Sequence, residues 1–355
     1  MTPDAALQRL REYLVGPSRF MTLLSCVELG VIDALREQPG LSAGQLAKVT
    51  GARPAAVEQL LLLPVKEGFV AQDADGGYRL AGLAQVPGEQ WDSVLADFGM
   101  IKAVTLRQLY YLTESVRSSS VVGLKELFGV DGDLYQALAG LPQLREPWAK
   151  LMDTVTGHVD PWFLSTFEIP DGARVLDLAG NTGMGAIHTY KAHAGKGLHV
   201  TTFDLPDKEQ QTLANFRAHD VGEHCSFIGG DVFAHVPTGY DVVLIKHFLP
   251  MFDRQDVLRI LTGVYDALEP GAQVHALVPV FPEDVGDREN YTVDFYPSFF
   301  IGCAMGQGGP QKLSTWASWF TECGFTVTQA ATDDPADLPP HALTVEAVVS
   351  AVKPA

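Results

Sequence analysis

The sequence has 355 residues, 46% of them hydrophobic, and a formal net charge of −18. This length exceeds what one ordinary hydrophobic core organises, so we expect two domains. The hydrophobic content excludes a disordered chain. The acidic balance excludes nucleic acid as a main partner, because the chain and a phosphate backbone carry charges of the same sign.

Four cysteines are widely spaced and form no metal-ligand motif, so we interpret Cys26, Cys225, Cys303 and Cys323 as free thiols in a reducing compartment. The stretch MTPDAALQRLREYLVG lacks the apolar core of a signal peptide, and no run of eighteen apolar residues occurs. We therefore predict a cytoplasmic protein without a membrane segment and without a bound metal.

The first hundred residues predict a helical domain with a small hairpin. Residues 5–16 and 18–37 have apolar positions at helical spacing, and Ser42 fits the N-cap of a short helix. A further helix over about 54–66 precedes two strand sequences, GFVAQ and YRLAG, around the turn DADGG. This order is typical of a winged helix. Its second helix is not basic, so we interpret residues 1–100 as a dimerisation domain rather than a DNA-binding one.

The middle of the chain, residues 101–170, predicts several more helices. Loops are expected near 118–120 and 129–133, where serine and glycine occur. The aromatic and apolar residues of this segment suit core packing and also the wall of a pocket. We interpret the segment as a helical linker that contributes a pocket wall.

From residue 171 to 355 apolar, β-branched runs alternate with helical segments. The runs are RVLDLAG, HVTTFDLP, CSFIGGD, YDVVLIKHFL, AQVHALVPVF, FTVTQAA and LTVEAVVSAV. Continuous apolar strands separated by helices indicate a parallel sheet covered on both faces, which is a doubly wound, Rossmann-like α/β domain. Ligands of such domains bind at the carboxyl ends of the strands. The stretch 333-DDPADLPPH-341 predicts a short surface loop.

The carboxyl ends of the first three strands carry motifs suited to a nucleoside. A turn of small residues at 179–183 precedes a helix that begins near Met184, and such a turn lets a ligand approach the backbone closely. The next two strand ends carry FDLP and GDVF. An acidic residue at the second strand end can accept hydrogen bonds from a ribose diol. Three acidic strand ends, Asp177, Asp204 and Asp231, suit the cationic S-adenosyl-L-methionine and would repel the pyrophosphate of NAD.

With these motifs the chain resembles, over nearly its full length, the small-molecule O-methyltransferases of plants and bacterial antibiotic pathways. The resemblance is carried by the winged-helix block at 41–84 and by VLDLAGNTG, FDLP, GDVF, IKHFLPMFDRQDVLRIL, PVFPED and GGPQKLSTWASWFTECGF. It implies a winged-helix dimerisation domain, a class I S-adenosyl-L-methionine domain at 171–355, a homodimer formed through the amino-terminal domain, and a role in secondary metabolism.

The resemblance also implies the cofactor contacts by position. In chain order these are Asp177, Ala179, Gly180, Asn181, Gly183, Asp204, Leu205, Asp231, Val232, Phe233 and Lys246. Asp177 and the turn are implied to hold the methionine part, Asp204 the ribose, and Asp231 with Val232 or Phe233 the adenine. The family turn VGGGTG is LAGNTG here, and it is expected to keep its shape because asparagine tolerates left-handed backbone.

Two departures from the family pattern remove its usual base. The family sequence after the lysine is roughly xVLHDW, with the histidine as general base, but HFLPMF places Pro250 at that position. Proline neither accepts nor donates a proton. The family's GGKERT, whose glutamate orients the base, is GGPQK here, with Gln311 in place of the glutamate.

The candidates that remain for acid–base or orienting roles are His247, Asp294 and Gln311. His247 is either a packing histidine or a relocated acid, base or hydrogen-bond donor, because imidazole titrates near neutral pH. Tyr296 and His158 are further polar residues in apolar stretches. A metal ion held by His247 and Asp294 is a less favoured alternative, because no metal-ligand spacing accompanies it.

Two functions remain open. The first is methyl transfer to an apolar or aromatic small molecule at carbon, nitrogen or an already ionised oxygen, because in-line transfer from a sulfonium depends largely on positioning. The second is a relative that binds the cofactor without methylating and catalyses decarboxylation, hydroxylation or a pericyclic reaction, with the sulfonium as a fixed charge. A regulator without enzymatic activity is a distant third.

Overall fold

The computed structural model describes residues 2–286, 290–333 and 340–355. Most of the surface loop predicted at 333–341 lies outside these residues. The chain divides into two compact units, Met1–Asp92 and Ser93–Ala355. The four cysteines are free, as predicted, and three of them are buried.

The amino-terminal unit consists of helices followed by a hairpin. Its elements are α1 Pro3–Glu28, α2 Val31–Glu37, α3 Ala43–Thr50, α4 Pro54–Lys66, β1 Val70–Gln72 and β2 Tyr78–Leu80, with a 3-10 turn at Gly82–Gln85. β1 and β2 pair in antiparallel fashion. The predicted succession of helices and hairpin is confirmed. The next helix, α5 Gly88–Met100, contains the division between the two units.

One long helix occupies most of the region where the sequence predicted two. Pro17 lies inside α1 instead of separating two helices, and the chain leaves the helix after Glu28. Gly30 has a φ of 71°, in the left-handed region that glycine enters most readily, so the break falls there. The prediction of separate helices over 5–16 and 18–37 is wrong in this respect.

Helix α1 presents apolar side chains to solvent. Leu7, Leu10 and Leu14 are 65%, 55% and 81% exposed, and their spacing places them on one face of the helix. No single described helix is long and apolar enough to cross a membrane, although α1 and α2, bent by 54° at their break, together meet the length and composition of a span.

The second unit begins with helices. They are α6 Leu112–Ser118, α7 Val122–Phe128, α8 Leu134–Gly140 and α9 Pro142–Ser165, preceded by a π-helical stretch at Ile101–Leu106 and a 3-10 turn at Gln108–Tyr111. The breaks between α6, α7 and α8 fall at the loops predicted near 118–120 and 129–133. The helical character predicted for this segment is therefore confirmed.

The rest of the second unit alternates strands with helices. The elements are β3 Arg174–Leu178, α10 Met184–Ala192, β4 His199–Asp204, α11 Glu209–Ala218, β5 Cys225–Gly229, β6 Val242–Lys246, α12 Arg254–Ala267, β7 Gln273–Phe281, α13 Thr292–Phe299, β8 Gln311–Lys312, α14 Leu313–Glu322, β9 Thr326–Thr332 and β10 Glu346–Val352. The sheet order is β5-β4-β3-β6-β7-β10-β9, and β8 pairs with the end of β7.

The sheet is mixed rather than wholly parallel. The first five strands of the sheet order are parallel to one another, whereas β10 is antiparallel to both β7 and β9. The Rossmann-like fold is confirmed, but the expectation of an entirely parallel sheet is wrong at this edge. Because β10 is buried along nearly all its length, like β7, its sequence is a continuous apolar run that does not reveal its direction.

Alternate residues of the strands face two separate apolar clusters. One cluster packs the sheet against α12 and α14, with Val257, Ile260 and Trp316. The other packs it against α9, α10 and α11, with Phe163 and Phe216. Both faces of the sheet are therefore covered, and the free carboxyl ends of the parallel strands lie at one common edge.

Candidate active site

The turn after β3 has an unusual backbone. Ala179 and Asn181 have φ values of 56° and 48°, and Gly183 has 79°. Asparagine enters this left-handed region easily, whereas alanine does so at a cost of about 1–2 kcal/mol. The conformation expected at Asn181 is therefore present, and the strain at Ala179 is of a kind that concentrates at functional sites. Helix α10 begins at Met184, as predicted.

Two glycines keep the space around Asp177 open. A Cβ atom on Gly180 would clash with the Asp177 carboxylate and lie 2.8 Å from Thr202 Cγ2. A Cβ atom on Gly185 would clash with the Lys246 ammonium and lie 2.9 Å from Asp177 Oδ2. The strand end and the first turn of α10 thus form a cradle that side chains larger than glycine would fill.

Asp177 is a buried carboxyl group that lacks a hydrogen-bond partner. It is 1% exposed, and none of the described residues hydrogen-bonds to either of its carboxylate oxygens. Burial raises its pKa to about 6, and Asp160 and Asp204 add to the rise. Lys246 opposes the rise, as does the Ala186 backbone amide, which lies near the carboxylate without hydrogen-bond geometry. A buried unpaired carboxylate is costly, so its presence indicates a ligand that supplies donors or positive charge.

The ammonium group of Lys246 is paired with Asp160 rather than with Asp177. Its ammonium donates to both carboxylate oxygens of Asp160, each at 3.1 Å, and His188 Nδ1 lies 2.7 Å from Asp160 Oδ2. Burial raises the pKa of Asp160, but Lys246 and His188 outweigh burial and hold it below its ordinary value. Asp177 therefore keeps its negative charge available. Asp160 was not predicted, although an acid within the apolar stretch HVDPWF is a signal for it.

The other predicted cofactor residues follow β4 and β5. Asp204 Oδ2 accepts from the Asn181 amide at 2.8 Å, and Oδ1 accepts from the Leu205 amide at 2.7 Å. Asp231 Oδ1 accepts from the Phe233 amide at 2.9 Å. These bonds fix the strand ends in place. Leu205 is half exposed, and Val232 and Phe233 pack against the sheet core.

A cavity of about 130 Å³ lies in the second unit beside the segment that follows β6. Its apolar wall includes Tyr135, Trp148, Met152, Phe295, Phe299 and Phe300, from α8, α9 and α13 and the residue after α13. Its polar side chains include Asp97, His158, His247, His341 and Glu346. An aromatic cavity with a few placed polar groups is typical of a small-molecule site.

His247 lies at this cavity in a strained conformation. Its φ is 51°, its amide donates to the Leu277 carbonyl at 2.9 Å, and its Nε2 is 3.0 Å from Glu346 Oε2. Glu346 also accepts from the Thr344 hydroxyl at 2.7 Å. Burial lowers the pKa of His247, but the charge and hydrogen bond of Glu346 outweigh it, so the net pKa is raised. The pair favours a protonated imidazole.

Glu346 was missed by the sequence reading. It is 3% exposed and is the only charged residue in LTVEAVVSAV. A buried acid needs a partner, so an isolated charge in an apolar strand sequence was the signal that could have found it. The sequence did not show at which edge of the sheet Glu346 lies, and therefore did not show its partner.

Pro250 is buried and lines the same cavity. Its carbonyl accepts from the Gly309 amide at 2.7 Å, and a Cβ atom on Gly308 would lie 2.5 Å from that carbonyl oxygen. The GGPQK loop therefore packs directly on the segment that carries the proline. The two segments that depart from the family pattern, at Pro250 and at GGPQK, are therefore in direct contact.

The structure places the three residues predicted for chemistry in different surroundings. Among the described residues, the lining of the cavity includes His247 but neither Asp294 nor Gln311. Asp294 is exposed on α13, and Gln311 Nε2 donates to the Gly309 carbonyl at 3.3 Å. A metal site shared by His247 and Asp294 gains no support from this arrangement.

Comparison with known proteins assigns the family. A model described as the O-methyltransferase domain matches residues 109–326, and one described as the O-methyltransferase dimerisation domain matches residues 12–86. The chain belongs to the O-methyltransferase family. Within this family it is an S-adenosyl-L-methionine-dependent methyltransferase with an amino-terminal dimerisation domain.

Three similar proteins illustrate the range of relatives in this O-methyltransferase family. An L-tyrosine C(3)-methyltransferase of Streptomyces lavendulae is 26% identical over 90% of this chain and 87% of that protein. A 3-amino-4-hydroxybenzoate 4-O-methyltransferase of Streptomyces cremeus is 29% identical over 77% of this chain and 73% of that protein. The apo structure of the S-adenosylmethionine-dependent methyltransferase SibL is 25% identical, with a TM-score of 0.80 over 98% of this chain and 100% of that one.

The strand-end residues fit the family's cofactor. The unpaired Asp177 carboxylate suits a cationic group, and the cradle at Gly180 and Gly185 leaves room for a ligand against the backbone. Asp204 and Asp231 follow the next two strands in the order that an extended adenosyl ligand requires. Lys246 does not neutralise Asp177, because Asp160 holds its ammonium.

The Asp177→Asn variant should separate stability from cofactor binding. Removing a buried carboxylate without a hydrogen-bond partner is expected to raise the free energy of unfolding of the ligand-free protein by about 1–3 kcal/mol. The same change should weaken S-adenosyl-L-methionine binding at least about tenfold, because a charge-assisted contact is lost. Thermal unfolding and titration calorimetry measure the two effects.

The pH dependence of this variant provides a second readout. The pKa of Asp177 is about 6 in the folded protein, against an ordinary value of 3.8. Between pH 3.8 and about 6, Asp177 is therefore protonated in the folded protein but ionised in the unfolded chain. Cofactor affinity of the wild type should therefore fall as pH falls through about 6, and that of Asp177→Asn should not. Asp171→Asn, at an exposed position before β3, is the control. Unchanged cofactor affinity in Asp177→Asn would contradict the assignment.

Proposed function

We propose that the protein methylates a small natural-product intermediate at carbon, nitrogen or an already ionised oxygen, without the histidine base of its family. The observation that carries this proposal is Pro250, whose side chain lines the cavity at the position of that base in the sequence pattern. Gln311 supports it, because the carboxylate that orients the family base is also missing.

In this proposal His247 is the polar side chain that contacts the methyl acceptor. The His247 Nε2 is hydrogen-bonded to Glu346, and no described residue hydrogen-bonds to Nδ1. Nδ1 is therefore the ring nitrogen that can hydrogen-bond to the acceptor. A protonated imidazole stabilises an ionised oxygen or an enolate-like ring, so the acceptor does not need a strong protein base. The aromatic wall excludes water and orients the acceptor. When bound, S-adenosyl-L-methionine supplies an electrophilic methyl group on a positively charged sulfur.

The relatives support small aromatic acceptors and more than one acceptor atom. The names of the two Streptomyces relatives specify carbon C(3) of L-tyrosine and the 4-oxygen of 3-amino-4-hydroxybenzoate. We further propose three roles along the chain: dimerisation by residues 1–100, a pocket wall from 101–170 and cofactor binding by 171–355. Within the first range, Ser93, Asp97 and Met100 belong to the second unit and line its cavity. Tyr135, Trp148 and Met152 support the second role, because they line the cavity.

A second candidate follows from the same departures. A relative that binds the cofactor without methylating would also be expected to lack both the base and its carboxylate partner. Incubation with labelled S-adenosyl-L-methionine and aromatic pathway intermediates distinguishes the two. One S-adenosylhomocysteine formed per product supports methyl transfer, and product formed without cofactor turnover eliminates it in favour of the second candidate.

The Pro250→His variant tests the position of the missing base. Because its side chain would occupy the cavity, it should create or raise O-methylation of a phenol of ordinary acidity, by about tenfold or more. Adding Gln311→Glu should increase the gain. Pro250→Ala is the matched control, since it removes the ring without adding a base. Equal phenol methylation by the His and Ala variants would contradict the assignment.

His247 predicts the pH dependence of methylation. For an acceptor that is ionised over the whole range, kcat/KM should fall as pH rises through the pKa of His247, which lies above its ordinary value of 6.5. His247→Gln should lower kcat/KM by about ten- to a hundredfold and abolish that descending limb. A limb that persists in His247→Gln would assign it to another group.

The exposed leucines of α1 predict which surface forms the dimer interface. Leu14→Asp places a charge on the apolar face formed with Leu7 and Leu10, so it should convert a homodimer to a monomer in sedimentation or light-scattering measurements. Val285→Asp is the control, because Val285 is 71% exposed in the other unit. A Leu14→Asp protein that remains dimeric would show that this face is not the interface.

A further inference from the structure

Asp97 is a carboxyl group of the cavity that the mechanism above does not use. It lies on α5 with Ser93 and Met100, at spacings that place all three on one helix face, and all three line the cavity. No described residue forms a hydrogen bond or an ion pair with its carboxylate. Burial raises its pKa to about 7, which reflects the cost of a carboxylate in apolar surroundings.

The charged groups of the cavity favour a positive partner. Its described lining residues include no lysine or arginine. Glu346 is already paired with His247 and Thr344. His341 is 2.8 Å from the Ser93 hydroxyl, and burial, with the nearby His158, lowers its pKa. An anionic substituent would therefore meet no unpaired permanent cation, whereas a cationic one would meet Asp97.

The aromatic residues of the cavity suit a flat ring with a positive substituent. Trp148 and Phe299 are nearly parallel, with ring centroids 6.0 Å apart, and Tyr135 meets Trp148 edge to face at 5.9 Å. Tyr296 lies within electrostatic reach of both Glu346 and Asp97: burial raises its pKa, and both acids add to the rise. Aromatic faces pack against rings and attract cations.

We propose that the acceptor is an aromatic compound with a protonated amine, and that Asp97 binds this amine while the ring lies against the aromatic wall. The inference rests on the proposed function, because it takes the cavity as the acceptor site. A protonated amine has no lone pair to receive a methyl group. The amine is therefore a recognition group, and the methyl acceptor is a ring carbon or an ionised oxygen.

Three probes that differ in charge test this inference. Tyramine is cationic, para-ethylphenol is its neutral analogue, and para-hydroxyphenylacetate is anionic. Their affinities for the full-length protein saturated with S-adenosylhomocysteine are measured by titration calorimetry. We expect tyramine to bind the wild type at least about tenfold more tightly than para-ethylphenol, and the anion to bind most weakly, because Asp97 makes a charge-assisted contact with the amine.

Variants of Asp97 identify the residue responsible. Asp97→Asn should reduce the ratio of tyramine to para-ethylphenol affinity to about one, and Asp97→Glu should retain part of it. Asp153→Asn is the matched control, because Asp153 also has a pKa raised by burial but is absent from the cavity lining. An unchanged ratio in Asp97→Asn, equal binding of the three probes, preference for the anion, or no binding of any probe would each overturn the inference.

Failure of this inference is distinguishable from failure of the proposed function. An amine preference that depends on Asp97, without S-adenosylhomocysteine formation from any amine-bearing acceptor, would leave the substrate class standing and remove methyl transfer. Methylation of neutral or anionic acceptors at rates that Asp97→Asn does not change would leave methyl transfer standing and remove the substrate class.

Discussion

The hydrogen bond between His247 and Glu346 depends on the direction of β10. Both residues adjoin β7: the His247 amide donates to Leu277, and Glu346 pairs in register with Pro279. Because β10 is antiparallel, its first residue lies at the edge where the parallel strands end. In a parallel β10 the first residue would lie at the opposite edge. The antiparallel direction of β10 therefore places the Glu346 carboxylate beside His247.

Two consecutive residues at the end of β6 serve two different sites. Lys246 reaches Asp160 on α9, beside the cofactor cradle, whereas His247 reaches Glu346 and the cavity. Successive side chains of a strand point to opposite faces, and the positive φ at His247 ends the strand there. In the proposed function, one strand end would therefore adjoin both the cofactor and the acceptor, which is the arrangement that direct methyl transfer between two ligands needs.

The sequence was sufficient for the parts of the fold and site that are local in the chain. The turn at 179–183, the strand ends at Asp204 and Asp231 and the position of His247 all follow from short motifs, each carried by one strand and the residues after it. The departures at Pro250 and Gln311 were visible for the same reason.

The remaining features depend on contacts between distant parts of the chain. Asp97, Asp160 and Glu346 lie on α5, α9 and β10, and only the folded arrangement brings Asp97 and Glu346 to one cavity. The direction of β10 was not predictable from its apolar run, so the sequence did not show that Glu346 lies at the edge where the parallel strands end. Asp294 was expected near the chemistry because of its sequence neighbours, but the helical period turns it to the exposed side of α13 while Tyr296 lines the cavity.

The pKa of His247 is the quantity that tests the account most directly. A histidine-labelled sample titrated by NMR reports it, with His247→Gln used to assign the resonance. The account predicts a pKa above the ordinary 6.5 in the wild type and a lower value in Glu346→Gln, because the carboxylate that favours the proton is gone. A wild-type pKa at or below 6.5, or one that Glu346→Gln leaves unchanged, would contradict the role assigned to this pair.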